Sequence, residues 1–266
     1  MNEHARSDAV DLDGQPDLPR GRYPLSMVYG GGGVFGIGYG AGVATGLGDA
    51  GIPVRTAPAL GTSAGSWVAA AVALGLGYDA FEDFESPPVP TLRPVVYESA
   101  KTIFGDSRHH LVTASAVQLR TRRRHILDGG RYSLADMAAA SSAVPGLLPP
   151  HTIEGRRYVD GGMWSATSID AAVDAEEVIV VAPLAGSAMG PVGTTAGFLL
   201  DLELRAWRLR HPGKRVTVIR PNKEIARFAG RSPLALFDAD RARAVYPLAI
   251  EQGRRWGERL QMPQAA

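Results

Sequence analysis

Hydrophobic and polar residues alternate along the chain in blocks that predict an α/β protein. Short apolar runs rich in β-branched residues predict strands, and longer runs with apolar residues three and four positions apart predict helices. Strands are predicted at Leu25–Tyr29, Val54–Leu60, Leu111–Ser115, Arg156–Val159, Val178–Ala182 and Val216–Arg220. Helices are predicted at Val34–Ala50, Ala64–Leu76, Leu134–Ser142, Thr194–Leu209 and Asp238–Leu260. Such alternation is typical of a mostly parallel sheet covered by helices.

Three local signals refine this pattern. Val178-Ile179-Val180-Val181 is continuously apolar and β-branched, as in a strand that is buried on both faces. Ser133, with Asp136 three positions later, is a weak capping signal for the third helix. Glu154-Gly155 predicts the turn of a hairpin whose second strand leads to Asp160.

Composition limits the domain organisation. The 266 residues are 45% hydrophobic, enough for one sizeable core, so we expect a single domain over residues 23–266. Residues 1–22 are polar and acidic and lack an apolar core, which predicts a disordered tail and not a secretory signal. The longest apolar stretch, Trp67 to Leu76, is shorter than the about 20 residues that a membrane-spanning helix needs.

Composition also excludes some chemistry. The chain has no cysteine, which excludes a disulfide framework, a thiol nucleophile and a thiolate metal site, and is compatible with a cytoplasmic location. The formal net charge of +1 argues against nucleic acid as a partner. We expect no metal site and no cofactor, and the sequence gives no signal for the oligomeric state.

The most informative motif is Gly61-Thr62-Ser63-Ala64-Gly65, between a predicted strand and a predicted helix. G-x-S-x-G in this context is the nucleophile elbow, a turn so sharp that side chains at Gly61 and Gly65 would collide with neighbouring backbone. The turn exposes the serine hydroxyl at the helix N-terminus, where negative charge is favoured. Ser63 is therefore a candidate nucleophile.

A second motif, the glycine loop Gly30–Gly36, follows the first predicted strand. Consecutive backbone amides in such a turn suit an anion or an oxyanion, which makes Gly31, Gly32 and Gly33 candidate oxyanion donors. The loop also contains G-x-G-x-x-G, typical of dinucleotide binding. That alternative requires an acidic residue at the end of the second strand, but the second strand leads into the serine elbow.

The third motif is Asp160-Gly161-Gly162, at the end of a short predicted strand. A carboxylate at this position could accept the Ser63 proton as a general base. Taken alone, the tripeptide is better explained as an ordinary Asp-Gly turn.

In this order the three motifs resemble the patatin-like phospholipase family, whose pattern is G-G-G-x-(Arg/Lys)-G, G-x-S-x-G and D-G-(Ala/Gly). The resemblance extends over roughly residues 25–185 and includes Ala140–Gly146 and Pro149-Pro150, similar to the stretch before the family's D-G-(Ala/Gly) hairpin. It implies a three-layer α/β/α fold with a Ser–Asp dyad at the strand ends. One departure is Phe35, which replaces the usual Arg or Lys and raises a question about anionic substrates.

The implied dyad competes with a Ser–acid–His triad, in which histidine follows the acid in the chain. The histidines are His4, His109, His110, His125, His151 and His211. Only His211 follows Asp160, and its Pro-Gly context predicts a solvated helix end. Surface or structural roles are expected for His125 and His151. The sequence therefore favours the dyad.

Two further regions have alternative interpretations. Residues 77–110 form a variable insertion after the nucleophile helix, either a lid or acyl-binding wall or a plain surface excursion, and Val95–Phe104 within it predicts a short amphipathic helix. The basic run Arg120–His125 is typical of a solvated face. The alternative is peripheral contact with anionic lipid headgroups.

Two function classes remain. The resemblance implies a lipid acyl hydrolase, a serine-dependent carboxylic ester hydrolase of the phospholipase A type, which acts on a lipid or ester substrate. The alternative is a non-catalytic lipid-binding or regulatory protein of the same fold, for which Phe35 is the argument. The presence of both Ser63 and Asp160 favours the enzyme.

Overall fold

The computed structural model describes residues 23–81, 89–230 and 232–262. The strands are β1 (Tyr23–Tyr29), β2 (Ala59–Thr62), β3 (Val112–Gln118), β4 (Arg124–Asp128), β5 (His151–Ile153), β6 (Arg156–Asp160), β7 (Ala175–Val181) and β8 (Arg215–Ile219). The α-helices are α1 (Gly33–Asp49), α2 (Ala64–Leu74), α3 (Val95–Phe104), α4 (Leu134–Ser141), α5 (Gly190–Arg210), α6 (Lys223–Ala226) and α7 (Ala239–Gln261). The predicted tail, residues 1–22, lies outside the described residues, as do residues 82–88 of the predicted insertion.

All eight strands form one sheet with a parallel part and an antiparallel part. Strands β8, β7, β1, β2 and β3 lie side by side in that order and are parallel. Strands β4 and β6 both pair antiparallel with β3, and β5 pairs with β6 as a hairpin. Helices cover both faces, so the predicted three-layer α/β/α fold with a mostly parallel sheet is confirmed.

Successive residues of the central strands point to opposite faces and so fill two separate cores. Met27 and Ile179 pack under the helices of one face, among them α1, α2, α4 and α7. Val28 and Val180 pack on the other face with Leu200 and other residues of α5. The continuously apolar β7 is thus buried on both faces, as its sequence predicts.

The predicted elements are found with three notable differences. β2 begins at Ala59 instead of Val54, because Val54 to Thr56 form a turn between Pro53 and Pro58. α5 begins at Gly190, four residues before the predicted start, with Pro191 in its first turn, where proline needs no amide partner. β4 was not predicted, and it begins within the last two residues of the stretch interpreted from sequence as a solvated basic run.

Two local predictions are confirmed. The Ser133 hydroxyl accepts a hydrogen bond from the Asp136 amide at 3.1 Å and caps α4. The predicted amphipathic helix is α3, whose Ala100 and Phe104 are buried. The Phe104 ring lies 5.8 Å from the ring of Trp67 in α2, which ties this part of the insertion to the nucleophile helix.

Candidate active site

The elbow around Ser63 has the geometry that its motif predicts. Ser63 lies between β2 and α2 with φ 51° and ψ −123°, a conformation that is strained for a residue with a side chain. A Cβ on Gly65 would collide with the carbonyl oxygen of Tyr29, and one on Gly61 would collide with backbone of Gly65 and Ser66. The steric requirement for glycine at both positions is thus evident in the structure.

Hydrogen bonds with two serine side chains help to hold the Ser63 backbone in this conformation. Its amide donates to the Ser141 hydroxyl at 2.8 Å, and that hydroxyl donates to the Ser115 carbonyl at 2.7 Å. The Ser66 hydroxyl donates to the Ser63 carbonyl at 2.6 Å. The elbow is therefore connected to the end of α4 and to the middle of β3.

Asp160 reaches Ser63 because two strands share one edge of β3. Thr62, at the end of β2, pairs with Ser115, and Asp160, at the end of β6, pairs with the next residue of β3, Ala116. Since β4 pairs with the same residues of β3, it must occupy the opposite edge. β2 and β6 therefore meet end to end, which brings Ser63 next to Asp160.

The Asp160 carboxylate is buried, with 5% of its surface exposed. Burial raises its pKa to about 6, although interactions with the Ser63 side chain and with the Gly162 amide lower it. That amide donates to Oδ1 at 2.6 Å. A carboxylate with a pKa near 6 is ionised at neutral pH and more basic than an exposed aspartate, which suits a general base.

The glycine loop lies directly against the serine, since a Cβ on Gly31 would come within 3.3 Å of the Ser63 Cβ. The Gly31 amide, however, donates to the Ala166 carbonyl at 2.9 Å. Within the described part of the chain, no hydrogen bond engages the amides of Gly32 and Gly33, at the start of α1. Of the three predicted donors, these two therefore have no partner among the described residues, whereas the Gly31 amide is engaged in fixing the loop.

A polar network that sequence reasoning missed supports this loop. The Glu203 carboxylate, half-buried on α5, accepts hydrogen bonds from the hydroxyls of Ser165 at 2.9 Å and Thr167 at 3.2 Å. Ala166, whose carbonyl holds Gly31, lies between these two residues. Burial raises the Glu203 pKa, and the two hydroxyls partly offset that effect. Nothing in the sequence of α5 indicates this role, because the contact joins residues 36 and 38 positions apart.

The described histidines have partners elsewhere. His151 contacts Asp136 at 2.9 Å, and His211 stacks on Trp207 with ring centroids 4.6 Å apart and lies 3.4 Å from Asp174. His125 lies edge-on to Tyr158, and its pKa is lowered by burial and by Arg156. These contacts agree with the surface or structural roles expected of His125 and His151, and none of them involves Ser63, whose side chain interacts with that of Asp160.

Phe35 lies inside the protein and not on the surface. Its side chain is fully buried in α1 and stacks parallel to the ring of Tyr39 at 6.3 Å. The question about anionic substrates that the replacement by Phe35 raised therefore concerns a buried position and not a surface one. The buried ring packs under the first helix and leaves the amides of the glycine loop unaffected.

The basic run divides into two parts. Arg120, Arg122 and Arg123 are exposed, as expected of a solvated face. Arg124 is half-buried on β4 and binds Asp170 through two hydrogen bonds of 2.6 and 2.7 Å. Its guanidinium also lies 5.6 Å from the ring centroid of Trp164. Sequence interpretation of Arg124 as solvated was wrong, because the strand that buries it was not predicted.

Neither a metal centre nor a membrane span emerges from the described ranges. Residues 23–81, 89–230 and 232–262 contain no group of three His, Cys, Asp or Glu residues that could hold a metal ion. No helix in these ranges is both long and apolar enough to cross a bilayer.

Comparison with known proteins gives one family match. The family model described as Patatin-like phospholipase matches residues 76–173, which include Asp160 and its hairpin but not Ser63 or the glycine loop. Among solved structures, VipD from Legionella pneumophila is similar with 11% identity and a TM-score of 0.47, covering 90% of this chain and 67% of that chain. A TM-score this low carries no argument. No curated protein matches the sequence. The family match confirms the resemblance that the motifs indicated: over residues 76–173 this chain is similar to the patatin-like phospholipases, a family of lipid acyl hydrolases.

Proposed function

We propose that the protein is a serine-dependent lipid acyl hydrolase, a carboxylic ester hydrolase of the phospholipase A type. The observation that carries this proposal is the end-to-end meeting of β2 and β6 on β3, which places a strained elbow serine beside a buried carboxylate. Burial raises the pKa of that carboxylate to about 6, close to the value that favours proton transfer at neutral pH.

In the proposed mechanism, the Ser63 oxygen attacks the ester carbonyl carbon while Asp160 accepts the hydroxyl proton. The negative charge that develops on the carbonyl oxygen is stabilised by the amides of Gly32 and Gly33. Collapse of this tetrahedral species transfers the proton from Asp160 to the leaving alcohol and leaves an acyl group on Ser63. Water then attacks the acyl-enzyme, again with Asp160 as the base, and collapse of the second tetrahedral species returns that proton to the Ser63 oxygen and releases the fatty acid.

The Gly31 amide has a supporting role in this proposal. Its hydrogen bond to Ala166 fixes the loop from which the next two amides project. Pre-organised donors cost no rearrangement when charge develops, and the loss of one typically costs about 2.7–4 kcal/mol of transition-state stabilisation.

A non-catalytic lipid-binding role has less support. Its sequence argument was Phe35, but this side chain is buried away from any substrate. A binding protein would also have no need of a strained serine or of an ionised, buried aspartate, both of which reduce stability.

Labelling with a fluorophosphonate probe tests the proposal, since covalent reaction requires an activated serine. We expect the wild-type protein to be labelled and to hydrolyse p-nitrophenyl esters and phospholipids, and the Ser63→Ala variant to do neither while keeping its melting curve. A panel of acyl chain lengths and headgroups would then define the substrate. An alanine variant that kept more than about a tenth of the turnover would exclude Ser63 as the nucleophile.

A further inference from the structure

Five exposed arginines lie on two neighbouring hairpins, and we define them as the arginine edge: Arg120, Arg122 and Arg123 in the β3–β4 turn, and Arg156 and Arg157 at the start of β6. Within the described ranges none of them forms an ion pair or donates a side-chain hydrogen bond to the protein. The adjacent acid Glu154 is held by Arg131 at 2.8 Å. The five charges are thus not neutralised by the protein itself.

The register of β3 places this edge at the same end of the sheet as the candidate active site, beyond the carboxyl ends of the parallel strands. Ser63 follows Thr62, which pairs with Ser115, while the β3–β4 turn begins after Gln118. Three residues of strand correspond to about 10 Å, so the turn projects roughly that far beyond the serine. The Leu119 amide donates to the Arg157 carbonyl at 2.8 Å, which holds the two hairpins together.

Exposed apolar side chains accompany these charges. Leu119, within the β3–β4 turn, is 41% exposed, and Met163 and Trp164, directly after the Asp160 motif, are 64% and 56% exposed. Trp164 lies beside the start of β4, which directly follows the arginines of the β3–β4 turn, since its ring centroid is 5.6 Å from the guanidinium carbon of Arg124. Basic residues beside large exposed apolar ones are typical of surfaces that bind the interface of an anionic bilayer.

We propose that the arginine edge, with Leu119, Met163 and Trp164, docks the protein onto an anionic lipid bilayer and turns the Ser63 side of the sheet toward it. The arginines contact lipid phosphates and the three apolar side chains enter the interface. The advantage that docking would give this protein rests on the proposed function, whereas the docking itself is measured without catalysis. Nucleic acid also offers phosphates, but it offers no interior for Met163 and Leu119.

The test uses the full-length Ser63→Ala protein, so that vesicles remain intact, in flotation with two kinds of vesicle. One kind is phosphatidylcholine alone and the other is phosphatidylcholine mixed with phosphatidylglycerol. We expect binding to the mixed vesicles, weakened by salt. The triple change Arg120→Glu, Arg123→Glu and Arg157→Glu should reduce that affinity on the order of 100-fold or more, since each basic residue contributes about fivefold. Arg122 is left unchanged because its φ of 57° makes substitution there a risk to the turn.

A matched control reverses three exposed arginines away from this edge, Arg55, Arg205 and Arg208. Arg55 precedes β2, and Arg205 and Arg208 lie toward the end of α5, which leads into β8. Both sites are therefore near the amino ends of the parallel strands, at the opposite end of the sheet from Ser63. Their reversal should leave the affinity within about twofold, because a charge beyond about 10 Å is largely screened at physiological salt. Trp164→Ala should weaken binding to both kinds of vesicle several-fold.

Equal losses in the two triple variants would overturn the proposal, since net charge and not the arginine edge would then control binding. A single-stranded oligonucleotide that binds the edge as tightly as anionic vesicles, with no effect of Trp164→Ala, would overturn it in favour of nucleic acid. In the Ser63-containing protein, the edge variant should hydrolyse a soluble short ester at the wild-type rate. Absence of that hydrolysis in the wild type would refute the proposed function and leave the docking result standing.

Discussion

The parallel and antiparallel parts of the sheet contribute different halves of the candidate active site. The parallel part supplies Ser63 and the glycine loop, each in a strand–turn–helix unit formed by neighbouring residues. The antiparallel part supplies Asp160, which comes within reach of Ser63 only because β6 pairs with β3 beyond the end of β2. The proposed nucleophile and oxyanion donors therefore depend on local geometry, and the proposed base depends on long-range strand pairing.

The largest effect is expected from a substitution that removes the contribution of the antiparallel part alone. Asp160→Asn keeps the shape of the side chain and can still accept the Gly162 hydrogen bond, but it cannot take the serine proton. We expect kcat for a soluble ester to fall about 10²–10⁴-fold. His211→Ala should retain near wild-type activity, and the opposite ranking of the two variants would indicate a Ser–acid–His triad.

A substitution in the parallel part should instead act through folding. Phe35→Arg places a charge in a fully buried position of α1, which costs several kcal/mol of the free energy of unfolding. Turnover of neutral esters and of anionic vesicles should fall together, along with the melting temperature, whereas Phe35→Leu should be mild. An unchanged melting temperature with faster turnover on anionic vesicles would show that the position faces substrate after all.

The buried base should also cost stability at neutral pH. The Asp160 pKa rises from 3.8 to about 6 on folding, so the folded state binds this proton more tightly than the unfolded state. Its contribution to stability is present below pH 3.8 and is lost as the pH rises through 6. Asp160→Asn should therefore raise the free energy of unfolding at pH 7 by up to about 3 kcal/mol. Denaturation at pH 7 and pH 4 checks this, because the advantage should largely disappear at the lower pH.

Glu203 connects the loop after β6 to the glycine loop after β1. Its carboxylate accepts hydrogen bonds from Ser165 and Thr167, and Ala166 between them accepts the hydrogen bond of the Gly31 amide. Glu203→Ala should lower kcat about 10- to 100-fold with little change in KM, as expected for the loss of charge-assisted hydrogen bonds of about 1.5–3 kcal/mol. Glu203→Gln, which keeps an acceptor oxygen, should recover much of the rate. Asp201→Asn, an exposed change on the same helix, is the control. A loss that only follows the melting temperature would reduce Glu203 to a purely structural role.

The smallest effect concerns the pH dependence of the wild type. With Asp160 as the base, kcat/KM should rise with pH through about 6 and then level off, so that the rate at pH 5 is roughly a tenth of the plateau. Organic cosolvent separates a carboxyl from an imidazole, because it raises the pKa of a neutral acid and lowers that of a cationic one. If the rising part of the pH profile of kcat/KM moved to lower pH in cosolvent, this would contradict an aspartate base.

Much of the fold could be predicted because its signals are local. The continuous β-branched run of β7, the Ser133 cap of α4 and the glycines of the elbow each act through neighbours in sequence. β4 was missed because its apolar residues are few and follow a run of arginines. Proline turns displaced the start of β2, since Pro58 cannot donate to the sheet.

The sequence by itself determined that a serine elbow, a glycine loop and an Asp-Gly strand end occur in one α/β chain. The steric requirement for glycine and the periodicity of buried positions both depend on residues that are close together in the chain. Only the tertiary structure decided how they combine. Strand pairing brought Asp160 to Ser63, and burial there raised the pKa of Asp160. The Ala166 carbonyl accepted the hydrogen bond of the Gly31 amide, so that the amides of Gly32 and Gly33 are the two proposed oxyanion donors. Helix packing likewise put Phe35 inside the protein. Hydrogen bonding and desolvation depend on neighbours far apart in the chain, and those neighbours exist only once it has folded.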